Sequence, residues 1–310
     1  MQGSGPLRTG GGPLNDYLVS VLLGIVEGLT EFLPVSSTAH LRIAEVFLSI
    51  RLDDPYWKMY TIVIQLGAIL ALTLLFLARI IEFVRTFPEG EDGQHTRWNH
   101  PITLTLAAFV VTAIPSLMLT GAIGEHLESI RDIAIALVVG GIVMWAVDAW
   151  SVRQDPRVGD VEQMSLPQAL WVGACQITSA VFPGTSRSMS TIAAGQLVGM
   201  TRSAALEFSF LLSIPTMIAA TLYDLVKALW PGFHVFHWSK PGSGAGIHSA
   251  LAPVVMTGHS WIVLIIGFVV SFLVALGVIE WFLQWVRNHG FVLFAIYRLL
   301  LGGWLLVHWR

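Results

Sequence analysis

Charge and cysteine are what this sequence has least of. Asp, Glu, Lys and Arg make up 12% of the 310 residues, about half the share typical of a soluble domain. The single cysteine, Cys175, excludes an intramolecular disulfide and any cysteine-cluster metal site. In the run WVGACQI it reads as a small apolar packing residue. The net charge of -3 leaves no strongly basic surface, so nucleic acid is not an expected partner. No secretory signal is evident, and the Gly- and Pro-rich stretch 1–14, with one Arg, reads as a disordered tail.

What is abundant is apolar. Hydrophobic residues reach 55% and the mean hydropathy is +0.70, values that indicate an all-α polytopic membrane protein. Twelve Trp and scattered His suit the membrane interfaces better than cofactor ligation. The chain is organised around 24–40, GIVEGLTEFLPVSSTAH. Glu27 and Glu31 stand four apart in an apolar run and share one helix face. Each carboxylate at the bilayer centre would cost about 2.5–3.5 kcal/mol, so the pair is expected to face a polar cavity. Pro34 is expected to stop this helix. Ser36, Ser37 and Thr38, with His40 just beyond, suit a turn or the start of a second helix.

The segments 18–33 and 39–50 are each too short to span and together read as a re-entrant hairpin. Three longer segments follow, 59–77, 102–123 and 133–150, with a polar loop at 79–100 and a turn at 124–132. The pattern then restarts. Gly173, Gln176, Pro183, Ser186 and Arg187 lie 149 positions after Gly24, Glu27, Pro34, Ser37 and Thr38. Ala107-Ala108-Phe109-Val110-Val111 resembles Ile266-Gly267-Phe268-Val269-Val270, and Leu137-Val138-Val139-Gly140-Gly141 resembles Leu299-Leu300-Leu301-Gly302-Gly303. The chain therefore reads as a tail (1–14), a first repeat (15–150, hairpin 18–50), a linker (151–168) and a second repeat (169–310, hairpin 169–200). The second repeat's later segments are 206–229, 261–286 and 291–309. With three crossings per copy, the second copy is upside down, an inverted-topology repeat whose hairpins meet near the midplane. His234, His237 and His248 in the loop 230–259 fit no compact metal-ligand pattern. Arg79, Arg85, Arg97, Arg153, Arg157, Arg202 and Arg287 fall to one side, and Arg42, Arg51, Lys58, Arg131 and Lys240 to the other. That bias is too small to set orientation.

The second turn reads PGTSRSMST, 183–191, and has Gln176 and Ala180 where the first copy has Glu27 and Glu31. Acid stays in one copy and base in the other. Gly184 beside hydroxyls at a helix start, with the planar fork of Arg187, suits a phosphate group; the lesser alternative is a structural pairing of Arg187 with Glu27 or Glu31, compatible with a site that opens when substrate arrives. Packed together, the copies would hold two carboxylates, several hydroxyls, one His and one Arg. That inventory fits phosphoryl transfer with a metal ion. It fits ion-coupled transport equally well.

The string EGLTEFLPVSSTAH, 27–40, together with PGTSRSMST, closely resembles the two signature motifs of the bacterial undecaprenyl-diphosphate phosphatase family, the bacitracin-resistance type. Val63-Ile64-Gln65-Leu66-Gly67, Glu207-Phe208-Ser209-Phe210-Leu211-Leu212 and Phe294-Ala295-Ile296-Tyr297-Arg298 also resemble family blocks. The resemblance implies a multi-pass enzyme of the bacterial cytoplasmic (inner) membrane. Its active site would face the outer, periplasmic side and hydrolyse undecaprenyl diphosphate to recycle the lipid carrier of cell-wall synthesis. It assigns Glu27 and Glu31 to a divalent metal ion (Mg2+ or Ca2+) and the diphosphate, Ser37 to nucleophile, with Ser36 or water as alternatives, and His40 to proton transfer. Arg187 becomes the diphosphate clamp, flanked by Ser186 and Ser188, with Ser36 and Thr38 also at the substrate. Met189, Ala194 and Ala39 stand where the family usually has Gly, and none of these removes a reacting group. The implied partners are a polyprenyl diphosphate lipid and the bilayer, and a homodimer is admitted. The rival reading is a transporter or flippase of polyprenyl phosphate, alone or in addition.

Overall fold

The computed structural model describes residues 15–52, 54–90, 93, 96–123, 129–229 and 256–308. Among them are eleven α-helices and no β-strand. They are α1 (Asp16–Thr30), α2 (Ser37–Phe47), α3 (Pro55–Leu75), α4 (Leu77–Thr86), α5 (Pro101–Ile123), α6 (Ile130–Ser151), α7 (Leu166–Val181), α8 (Arg187–Leu197), α9 (Arg202–Leu229), α10 (Gly258–Asn288) and α11 (Val292–His308). Helix starts follow local chemistry. Asp54 caps α3 ahead of Pro55, Ser165 and Gln168 form a reciprocal cap on α7, and Thr257 caps α10. Five helices are long and apolar enough to cross a membrane: α3, α5, α6, α9 and α10. The protein is thus all-α and polytopic. The last expected crossing, α11, is a shorter apolar helix of 17 residues.

The tail 1–14 and most of the loop 230–259, with His234, His237 and His248, lie outside the described residues. One expectation needs correction. The polar loop at 79–100 begins as helix α4, because Arg79, Glu82 and Arg85 alternate with Ile80 and with the buried Phe83 at helical spacing. The linker at 151–168 is docked. The backbone N–H groups of Arg157 and Val158 both donate to Gly199 O, at 2.9 and 3.1 Å, and Val161 is buried in a 3-10 turn. Arg79 ties this region together through ion pairs with Glu82, Asp160, Glu162 and Glu207 at 2.9–3.3 Å.

The two halves exchange partners. Helix α1 packs along α10 and α7 along α5, while α6 and α11 pack on each other. The close approaches occur at corresponding glycines. A Cβ on Gly24 would lie 2.8 Å from Gly267 O, and one on Gly173 would run into the carbonyl of Ala108, the residue matching Gly267. A Cβ on Gly141 would lie 3.0 Å from Ala295 O, and one on Gly302 2.8 Å from Ala134 O. This reciprocity relates Gly141 to Gly302, one residue off the register that the sequence match implied. The hairpin register also shifts. Ser36 and Ser186 occupy the same N-cap position with the same φ of 74°, so past the prolines the offset is 150, not 149. Arg187 therefore stands where the first copy has Ser37, rather than Thr38.

Helices this close tolerate no added methyl. Gly24→Ala and Gly173→Ala are each expected to destabilise the detergent-solubilised protein by about 1–3 kcal/mol, read as a lower thermal unfolding midpoint. Gly277→Ala, where a Cβ meets nothing within 4 Å, should leave the midpoint unchanged or higher.

Candidate active site

Helix α1 ends at Thr30, before the proline that was expected to stop it, and Glu31 is its C-cap. The turn to α2 then runs through Pro34 to Ser36. Ser36 and Ser186 both take positive φ, unusual for a residue with a side chain. Each hydroxyl accepts from a backbone N–H three residues on, Ala39 at 3.4 Å and Met189 at 3.3 Å. Gly184, at φ +94°, has no room for a Cβ, which would lie 2.6 Å from Ile133 O.

A residue to which sequence reasoning gave no role holds the two turns together. Arg298 is 0% exposed and has no carboxylate partner among the described residues. Instead Nη1 donates to Pro34 O at 3.1 Å, Nη2 to Gly184 O at 3.0 Å and Ala136 O at 3.1 Å, and Nε to Leu137 O at 3.4 Å. One guanidinium thus bonds to the first turn, the second turn and α6. Ser188 adds a direct link, its hydroxyl donating to Leu33 O at 3.0 Å while bonding Ser186 Oγ at 3.0 Å.

The clamp brings Glu31, Ser37 and Arg187 to one point. Ser37 Oγ donates to Glu31 Oε2 at 2.5 Å, Arg187 Nη2 donates to Glu31 Oε1 at 3.3 Å, and Gln65 Nε2 lies 3.5 Å from Oε2. Beside them Glu27 is 1% exposed. Both of its carboxylate oxygens are buried without a hydrogen-bond partner, as is Arg187 Nη1. Orphaned charged atoms in a membrane interior are costly unless a ligand completes them. A cleft of about 110 Å³ opens here, lined among others by Glu27, Ser37, Thr38, Arg42, Glu45 and Gln65, where one water needs roughly 10–15 Å³. Helix α2 begins at Ser37, and a helix start is where backbone N–H groups lack intrahelical partners and favour an anion.

The remaining expected residues are distributed around this point. Ser36 and Ser186 serve as caps, Ser188 bridges the turns, and Thr38 is exposed at the rim. His40 has both ring nitrogens engaged elsewhere. Nδ1 lies 2.7 Å from Ser36 O and Nε2 2.6 Å from Tyr297 OH, with the two rings stacked. A carbonyl only accepts, so Nδ1 carries the proton, and in the neutral ring Nε2 accepts from Tyr297. The proton acceptor already bonded to Ser37 is Glu31. Gln65, Tyr297 and Arg298 were visible as lone polar residues in apolar segments, the signal that marks a function inside a membrane.

For a divalent cation, the pair that fits is Glu27 and Glu31. Glu27 has two free oxygens, and an ion such as Mg2+ is commonly held by one or two carboxylates with the rest of its shell from phosphate and water. No group of three or more His, Cys, Asp or Glu placed to hold a metal occurs among the described residues, so such an ion would rest on the substrate as well.

Broken hairpins meeting in a polytopic helical protein, with carboxylate, hydroxyl and guanidinium at one point, define a multi-pass membrane protein with a buried polar cluster that suits a phosphate group. The chain belongs to the bacitracin resistance protein BacA family, whose model matches residues 20–304. It is 57% identical over 289 residues to the undecaprenyl-diphosphatase of Koribacter versatilis, covering 93% of this chain and 96% of that one. Similar proteins of the same name occur in Rhizobium etli, 40% identical over 292 residues (94% and 96% covered), and Aquifex aeolicus, 38% identical over 284 residues (91% and 94% covered).

The clamp makes a coupled prediction. A Cβ on Gly140 would run into Arg298 Nη2, so Gly140→Ala and Arg298→Met should each lower the unfolding midpoint. Because both act through one guanidinium, the double variant should fall well short of the sum of the two losses, whereas Gly303→Ala, with open space around it, should add nothing.

Proposed function

We propose that the protein hydrolyses undecaprenyl diphosphate to undecaprenyl phosphate and inorganic phosphate, recycling the lipid carrier of cell-wall polymers and conferring resistance to bacitracin. The observation that carries this reading is the Ser37–Glu31–Arg187 cluster beside the unpartnered Glu27 carboxylate. It is supported by the names of the relatives. In this reading the halves are 15–150 and 169–310, and the cleft opens to the outer face of the cytoplasmic membrane, where the lipid tail lies between helices.

Ser37 is the nucleophile rather than Ser36, whose hydroxyl is occupied as a cap. Its Oγ attacks the terminal phosphorus while Glu31 takes the hydroxyl proton. A bond forms between Oγ and phosphorus as the bridging P–O bond breaks, and undecaprenyl phosphate departs. Glu31 yields that proton to the departing undecaprenyl phosphate. Water then attacks the phosphoserine, giving a proton to Glu31, which passes it to Ser37 Oγ as the phosphorus–Oγ bond breaks and inorganic phosphate leaves. Arg187, freed from Glu31 as the diphosphate enters, holds the charge that builds on the terminal phosphate oxygens. His40 donates from Nδ1 to Ser36 O and holds Tyr297 at Nε2, so in this reading it positions the first turn rather than exchanging a proton with the phosphate. A divalent ion on Glu27 and Glu31 would neutralise diphosphate charge when bound.

A second reading, translocation of the lipid phosphate, is favoured by the reciprocal packing of the halves. The asymmetry of the turns, acid in one and Arg in the other, favours chemistry on one side. Phosphate release from undecaprenyl diphosphate by purified protein decides between them. Ser37→Ala, Glu31→Ala and Arg187→Ala should each cut the rate by a factor on the order of 100–1,000 or more, with the unfolding midpoint retained. A chelator should abolish release and Mg2+ or Ca2+ restore it. Full activity in Glu31→Ala would sink both its proton and its metal role, and no release from folded wild-type protein would shift the case to translocation.

A further inference from the structure

Helix α2 carries an ion pair of its own into the cleft that Glu27 and Ser37 line. Ser37, Leu41 and Glu45 follow one another at four-residue intervals along the face that lines it, with Arg42 alongside. Glu45 is 1% exposed, and its Oε2 accepts from Arg42 Nη1 at 3.1 Å. Nη1 also lies 3.5 Å from Leu52 O. The bonds of Arg42 therefore run through one nitrogen, leaving Nε and Nη2 for a planar, two-point contact with phosphate.

We propose that Arg42 is a second phosphate-binding arginine, held in reserve by Glu45, that takes the phosphate remaining on the lipid while Arg187 takes the one transferred. This rests on the reading of the site given above. The placement is what recommends it. Arg42 lies five residues beyond Ser37, roughly 7.5 Å along the axis. Helical side chains lean toward the N-terminus, so a guanidinium released from Glu45 moves toward Ser37. Arg187 reaches the cluster from the other half of the molecule. A diphosphate seated at Ser37 thus has an arginine on each side, one for each phosphate. As a stabilising device alone the pair would be a poor choice, because well-packed apolar residues serve a buried position at least as well as an ion pair.

The test compares Glu45→Gln with Arg42→Gln/Glu45→Gln, a background in which no buried carboxylate is left unpaired. Kinetics are measured with undecaprenyl diphosphate as substrate and undecaprenyl phosphate as product inhibitor. Glu45→Gln should lower KM, because the competing carboxylate is gone. Adding Arg42→Gln should raise both KM and the product inhibition constant roughly tenfold or more, with kcat held within about threefold, the pattern of lost uniform binding. Arg42→Lys/Glu45→Gln should fall between, which keeps the proposal testable if the Gln variant folds poorly. Equal KM and equal product inhibition with and without Arg42 would overturn it. Arg187→Ala in the same assay separates the two levels. If that variant turns over normally, the site reading itself fails. If it is inactive while Arg42 has no effect, only the assignment of Arg42 fails.

Discussion

The structure depends on one guanidinium bonded to four carbonyl groups. Arg298 lies buried with no counter-charge among the described residues, and the acceptors it uses belong to the Pro34 turn, the Gly184 turn and two successive residues of α6. A cation in a low-dielectric interior is tolerable only if dipoles replace its hydration. Here two of those dipoles come from carbonyls of α6 and two from turns, whose backbone cannot satisfy itself. Turns leave carbonyls free, and water is scarce at this depth. The cation needs the turns and the turns need the cation. The consequence is that Ser37 and Arg187, each the first residue of the helix after its turn, are brought to the same carboxylate.

Equivalent positions of the two hairpins have diverged in chemistry while keeping their backbone. Ser36 and Ser186 share the same strained φ and the same capping bond. The next residue is a hydroxyl in one copy and a guanidinium in the other. Likewise Glu27 corresponds to Gln176, whose amide bonds Thr216 Oγ1 at 3.1 Å. A strictly symmetric pair of hairpins would place like charges face to face, which is unfavourable at short range. Divergence converts that repulsion into a carboxylate–guanidinium pair able to exchange partners with an anion.

The distribution of unsatisfied atoms identifies the working part of the site. Most buried polar groups here are bonded, often by Ser and Thr hydroxyls donating to carbonyls one turn back, as at Thr30, Thr112 and Thr216. The exceptions include single atoms of Trp57, Gln176, Thr221, Ser271 and Trp285, but the charged ones are Glu27 and one nitrogen of Arg187, and both border the cleft or its cluster. Buried charged groups elsewhere, such as Asp148 and Arg298, are closed off by their neighbours, whereas these are left open to a ligand.

Much of this was legible in the amino-acid order alone. The apolar runs, the Glu27–Glu31 spacing and the Pro–Ser breaks determine a helical membrane protein with two broken hairpins, because hydropathy and helix periodicity are local properties. The glycine matches also exposed the internal repeat. Register and partnership were not local. A one-residue slip between the turns is invisible to a fixed offset, so Arg187 was matched to Thr38 until the positive-φ serines showed that it stands in the place of Ser37. The partner of His40 could not be read either, since Tyr297 lies 257 residues away. Nor could α4, whose charged residues imitate a loop until Phe83 is seen buried. Which residues would be near the membrane's centre was decided by composition. Which of them would touch was decided only by tertiary packing, because a hydrogen bond between distant segments depends on how helices cross and not on their order in the chain.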